Sequence, residues 1–231
     1  MRYPRVTLLA GHYGSGKTNI AVNIALELRK TRDRVSVADL DIVNPYFRTK
    51  DSAPELEAAG VHLISSEYAN SNVDVPAMAP ENYAIIHDLT LNAVVDVGGD
   101  DRGALALGRY SPALREEGNY AMLLVANFYR PLTRTAAEAL AVMREIETAG
   151  GLPFTGILDN SNLGAETKPQ DILSTFGRAE ELSMLSGLPI AAVTVRRDLA
   201  PETERLFLEA GKNVELMPID LHFKREWAIW N

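Results

Sequence analysis

The sequence predicts an α/β domain, a doubly wound, mostly parallel sheet of about seven strands with helices on both faces. Three observations predict it. Apolar runs of strand length alternate with helical patterns along the whole chain. Runs such as Ala121-Met122-Leu123-Leu124-Val125-Ala126 are continuously apolar, as strands are when helices cover both faces of a parallel sheet. No internal repeat, low-complexity tract or Pro-, Gly- or Ser-rich linker divides the 231 residues, so 1–231 reads as a single domain.

In chain order, strands are expected at 5–10, 34–38, 61–65, 92–97, 120–126, 154–159 and 190–195, with a further candidate at 213–216. Helices are expected at 17–30, 52–59, 77–89, 102–116, 133–148, 169–186 and 200–210. The helix at 133–148 puts Ala136, Leu140, Met143 and Ile146 on one stripe and Glu138, Arg144, Glu145 and Glu147 opposite, an apolar face for the core and a charged face for water. Polar segment 66–80, with Asn70 and Asn72, reads as a loop, either ordinary surface or a partner- or substrate-facing one. His62 and His87 have no second ligand nearby in sequence and read as structural.

Composition narrows the function classes. With 23 Lys and Arg against 31 Asp and Glu, the net charge is −8, so direct nucleic-acid binding is not expected. There is no cysteine, which excludes disulfides and thiolate-held iron–sulfur or zinc centres. No apolar run approaches the ~20 residues of a membrane span. Met1-Arg2-Tyr3-Pro4-Arg5 leads straight into the first strand, leaving no room for a signal peptide. A cytoplasmic location is the expectation.

The motif with the most chemistry is Gly11-His12-Tyr13-Gly14-Ser15-Gly16-Lys17-Thr18, set between the strand at 5–10 and the helix at 17–30. Strand, glycine-rich loop and helix together make a Walker A phosphate loop, which takes a nucleoside triphosphate with Mg²⁺. Gly11, Gly14 and Gly16 let the backbone wrap closely. The loop amides and the helix N-terminus then cradle anionic oxygens. Lys17 reaches the β- and γ-phosphates, and Thr18 offers a hydroxyl to Mg²⁺.

Other polar groups fall at strand ends, where ligands of such sheets bind. Asp39 and Asp41 end the second strand; beside polyphosphate, one can hold metal-bound water and the other orient an attacking water. Asp96 ends the fourth strand and suits Mg²⁺ binding through water, while Gly98 and Gly99 allow close approach to the terminal phosphate and movement when it leaves. Asn160 and Asn162 follow the sixth strand and Arg196-Arg197-Asp198 the seventh. An Asn amide can pair with an adenine edge, and Arg197 and Asp198 occupy an equivalent place. Each of these segments also reads as an ordinary turn.

With these pieces in order, the chain resembles the MinD/ParA-like group of P-loop ATPases, kin to the nitrogenase iron protein and the cobyrinate amidase family. The resemblance rests on residues 11–18, Asp39-Leu40-Asp41 with Asn44, Val95-Asp96-Val97-Gly98-Gly99 and Asn160-Ser161-Asn162, and spans nearly the whole chain. It implies ATP rather than GTP, Mg²⁺, a P-loop on a central strand and a homodimer that closes around ATP. It implies Asp41 as the water-positioning acid, Asp39 and Asp96 in the magnesium shell and Asn160 at the adenine. Lys17, Asp39 and Asp41 are then the catalytic set.

The chain departs from that pattern in three places. Many members carry a second lysine where this chain has His12; a neutral imidazole clamps phosphate more weakly than an ammonium, and Arg48 and Arg102 are candidates for the missing charge. The absence of cysteine removes the cluster of the iron proteins. The tail from His222 to Asn231 places Phe223, Trp227 and Trp230 on one helical face; ten residues are short for the family's membrane-targeting helix, so packing on the domain or a partner is expected. The function expected is a slowly hydrolysing ATP switch acting through self-association or an unidentified protein partner. Rivals are an ATP-dependent ligase or kinase for a small molecule, and a non-hydrolysing nucleotide sensor. GTP stays open, although no Asn-Lys-x-Asp guanine pattern is present.

Overall fold

A computed structural model describes residues 2–40, 52–65, 80–98 and 101–222. Its strands are β1 (Val6–Ala10), β2 (Val35–Asp39), β3 (His62–Ser65), β4 (Asn92–Asp96), β5 (Tyr120–Ala126), β6 (Gly156–Asp159), β7 (Ile190–Arg196) and β8 (Leu216–Ile219). They form one eight-stranded sheet in the order β3-β2-β4-β1-β5-β6-β7-β8. All the pairings are parallel.

The helices are α1 (Lys17–Arg29), α2 (Ala53–Ala58), α3 (Pro80–His87), α4 (Asp101–Leu107), α5 (Ser111–Glu117), α6 (Ala136–Gly150), α7 (Pro169–Ser186) and α8 (Ala200–Glu209). Strand side chains alternate between two apolar layers, as the period of two requires. Leu8, Val95, Met122 and Leu124 pack with Leu107, Leu114, Met143, Phe176 and Phe207, from α4 to α8. Leu9, Val94, Leu123 and Val125 pack with Ile20, Ile24, Leu28 and Leu56 of α1 and α2. Helices therefore cover both faces, as the continuously apolar strands predicted. No helix among the described residues is long and apolar enough to cross a membrane.

Three elements differ from the sequence reading. The helix expected over 102–116 is two, α4 and α5, broken at 108–110, with a proline in the first turn of α5; proline suits a helix start and cannot continue one. The helix expected from 133 starts at Ala136, after Thr135, which forms a capping box with Glu138. The strand candidate at 213–216 forms as Leu216–Ile219, so the sheet has eight strands. Its Pro218 is tolerated because β8 lies at the sheet edge, where a missing N–H breaks no ladder. Asp41, Asn44, Arg48, Gly99, Asp100, segment 66–79 and the tail 223–231 lie outside the described residues, as does the side chain of Arg102.

From β1 the chain winds outward to β3, returns to β4, then runs the other way from β5 to β8. The winding reverses about β1, and such a switch point opens a crevice at the carboxyl ends of the strands.

Candidate nucleotide-binding site

Residues 11–18 fill that crevice. The loop leaves β1 at Ala10 and enters α1 at Lys17. Ser15 N donates to His12 O at 3.2 Å, closing a turn. Gly16 has φ 95° and no side-chain cap, a left-handed conformation that side chains strain to adopt. A Cβ at Gly16 would also run into the Asn160 amide. Lys17 is buried, and its Nζ folds back to donate to Gly11 O at 2.9 Å and His12 O at 3.3 Å. The ammonium is thus parked on the rim of the cradle its own loop makes. Tyr13 is exposed, and His12 Nδ1 lies 3.0 Å from Tyr13 O.

The β4 side of the loop holds oxygen donors. Thr18 Oγ1 donates to Asp96 Oδ2 at 2.6 Å. Asp39 and Asp96 are register partners on adjacent parallel strands, and Leu40 N continues the ladder to Asp96 O at 2.8 Å. A threonine hydroxyl and two carboxylates are hard oxygens, the donor class Mg²⁺ takes, and Mg²⁺ keeps several waters and needs few protein ligands. No group of three or more His, Cys, Asp or Glu gathers among the described residues. Thr18, Asp39 and Asp96 are the residues that would hold the cation beside bound phosphates. Gly98 packs under α4, where a Cβ on Gly103 would come within 2.5 Å of Gly98 Cα.

The β6 and β7 side is mostly committed within the protein. Asn160 is buried; its Nδ2 donates to Ser15 O at 2.6 Å and its Oδ1 accepts from Thr194 Oγ1 at 2.5 Å. The side chain expected at the base thus braces the phosphate loop from below. Asn162 Nδ2 donates to Asn160 O at 2.7 Å, and its Oδ1 accepts from Gly164 N at 3.0 Å. Asp198 pairs with Arg196 at 2.5 Å. Arg197 pairs with Asp220 at 2.8 Å and lines a recess of about 600 Å³ with Asn23, Lys30, Glu55 and His222. The structure therefore gathers residues 11–18, Asp39, Asp96, Gly98 and Asn160, with Arg197 and Asp198 held in ion pairs of their own.

Sequence reasoning missed Asp159 and Arg130. Asp159 ends β6 fully buried; its Oδ1 accepts from Ser161 N at 3.0 Å and Ser161 Oγ at 2.6 Å, and its Oδ2 has no partner among the described residues. Burial pushes its pKa up from 3.8 to about 6, against the lowering effect of Ser161. A raised native pKa means that the folded state keeps a proton the unfolded chain has already released. Asp159 therefore favours folding fully below about pH 4, and this contribution fades as pH rises through about 6. Asp159→Asn should remove that dependence. Relative to wild type, the variant should be more stable at pH 7 than at pH 3 by about 3 kcal/mol, read from urea midpoints. Any constant cost of the new amide cancels in this difference. Parallel pH profiles would show that Asp159 does not titrate as its burial implies.

No family model matches the chain, nor does any curated protein sequence. Solved structures do match. Cell division protein FtsY from Thermotoga maritima aligns over 83% of this chain and 62% of its own, with TM-score 0.57 and 18% identity. The fold is that of a P-loop NTPase. The signal recognition particle receptor FtsY from Elizabethkingia anophelis, in complex with GDP, matches with TM-score 0.51 and 15% identity over 84% of this chain and 58% of its own. Chloroplast FtsY from Physcomitrella patens matches with TM-score 0.51 and 19% identity over 84% and 59%. The chain thus spans about three fifths of the length of these structures. The resemblance drawn from the sequence was to the MinD/ParA-like group, whereas these neighbours are FtsY proteins; what the two readings share is the P-loop NTPase fold.

Proposed function

We propose that the protein binds a Mg²⁺-nucleoside triphosphate at residues 11–18 and acts as a slowly hydrolysing switch, coupling nucleotide state to association with itself or a partner. The observation that carries this reading is the preformed cradle. Lys17 is held on Gly11 O and His12 O, Thr18 is set against Asp96 at 2.6 Å, and Asn160 fixes Ser15 from below. Binding would move the Lys17 ammonium from these carbonyls to phosphate oxygens.

ATP is the nucleotide proposed. The sequence carries no Asn-Lys-x-Asp guanine pattern, and the resemblance drawn from it implies ATP. A second reading, GTP, is favoured by the GDP bound to the Elizabethkingia FtsY. The proposed roles remain Lys17, Asp39 and Asp41 in catalysis, Thr18, Asp39 and Asp96 at Mg²⁺, and a nucleotide-dependent homodimer. His12 weakens any cross-dimer phosphate contact at the position the resemblance assigns to lysine.

Calorimetric titration of Mg²⁺-ATP and Mg²⁺-GTP into wild type and Lys17→Ala, with phosphate release measured in the same samples, tests the proposal. Wild type should prefer ATP and release phosphate slowly, and Lys17→Ala should lose about 100-fold in affinity. GTP preference would move the reading to guanine nucleotides. Binding without release, even with added partner protein, would make the protein a sensor. No binding of either nucleotide would end the proposal.

A further inference from the structure

The phosphate cradle has a second cation beside it. Arg130 lies four residues beyond the end of β5, the strand flanking β1 on the side opposite β4. A Cβ placed on Gly14, in the middle of the phosphate loop, would stand 3.9 Å from Arg130 Nε. That Nε is buried and has no hydrogen-bond partner among the described residues. Burying a guanidinium N–H with no acceptor is costly, so its position invites a ligand that accepts.

The backbone beneath Arg130 is fixed. Arg130 N donates to Asn127 O at 3.1 Å, and Thr133 Oγ1 donates to the same oxygen at 2.8 Å. Tyr129 N donates to Asn127 Oδ1 at 3.0 Å, Tyr129 Oη donates to Asp171 O at 2.9 Å, and Phe128 N donates to Ser161 Oγ at 3.1 Å. Leu132, two residues on, has φ 66°, a sparsely populated conformation for a branched side chain that persists only where its surroundings hold it, often at functional sites. A rigid, strained turn thus presents Arg130 to the loop.

The two flanks are complementary. The oxygens of Thr18, Asp39 and Asp96 lie towards β4, where the cation would sit, and the guanidinium lies towards β5. Walker loop amides cradle the α- and β-phosphates, while the lysine reaches further out. We infer that Arg130 is a phosphate-binding residue, gripping the α/β portion of a nucleoside di- or triphosphate from the side away from the metal. This rests on the nucleotide-binding reading above. It supplies from within one chain a charge that His12 does not, and a planar fork suits phosphate better than a point charge.

The test is titration of Mg²⁺-ATP and Mg²⁺-ADP into wild type, Arg130→Gln and Arg130→Lys, using the guanine pair if wild type prefers it. Melting of the unliganded proteins is followed alongside. Arg130→Gln should bind both nucleotides about 10- to 100-fold more weakly with an unchanged melting temperature. Arg130→Lys should recover part of the loss, because charge is kept and the fork is not. Affinity in Arg130→Gln equal to wild type would overturn the inference while leaving the nucleotide reading intact. Equal losses in both variants, with a lowered melting temperature, would overturn it in favour of a structural role. Failure of wild type itself to bind would remove the parent reading and this inference together.

Discussion

Gly16→Ala should leave a folded protein that binds no nucleotide at millimolar concentration. Gly16 sits at φ 95°, where a side chain costs about 1–3 kcal/mol of backbone strain. The new methyl would also collide with Asn160. Asn160 cannot swing aside cheaply, because it is buried and its amide is held by Ser15 O at 2.6 Å and Thr194 Oγ1 at 2.5 Å. Relief must come from the loop, whose amides lose their common focus, and the helix that carries Lys17 and Thr18 shifts with it. Calorimetry and nucleotide-induced melting shifts read the outcome. Adding Asn160→Ala to the variant removes the collision but keeps the strain; partial return of binding would identify the collision as the larger effect. Wild-type affinity in Gly16→Ala alone would mean that the loop is not held by Asn160 as described.

The contrast between Lys17 and Asn160 shows what the sequence discloses. The place of Lys17 and Thr18 was legible because the pattern is local: the glycines, the cation and the hydroxyl fall within one turn between β1 and α1. Asn160 was legible in place, at a strand end, but its partners are 145 and 34 residues away. No short-range pattern says that its amide will bond Ser15 O and Thr194 Oγ1. Arg130 escaped for the same reason: nothing in residues 127–134 reveals that Gly14 lies across from it until β5 is placed beside β1. The sheet itself was readable, since strands covered on both faces announce themselves by continuous apolarity. The elements that moved were those governed by single residues: Pro112 at the start of α5, the Thr135 cap of α6 and the edge-tolerated Pro218 of β8.

At the opposite end of β1 from the glycine loop 11–18, Arg5→Met should destabilise the fold by about 3–5 kcal/mol, the range for breaking a buried ion pair from one side. Arg5 is 6% exposed and starts the chain into β1. Its Nε and Nη2 both bond the Glu117 carboxylate at the end of α5. Its Nη1 donates to Ile85 O at 2.9 Å, Leu91 O at 3.2 Å and Asp88 O at 3.3 Å. Ile85 lies in the last turn of α3, whose carbonyls have no partner within the helix and which favours a cation. One guanidinium therefore ties the central strand to α5, to the end of α3 and to the corner entering β4. Methionine fills much of the volume but leaves a largely buried carboxylate and three carbonyls without their donor. For a chain of this size the melting temperature should fall by roughly 10 °C. Adding Glu117→Gln should recover only part of the loss, because the carbonyls stay unsatisfied. A cost below about 1 kcal/mol for Arg5→Met would show that water replaces the guanidinium there, and that the β1 corner is open to solvent.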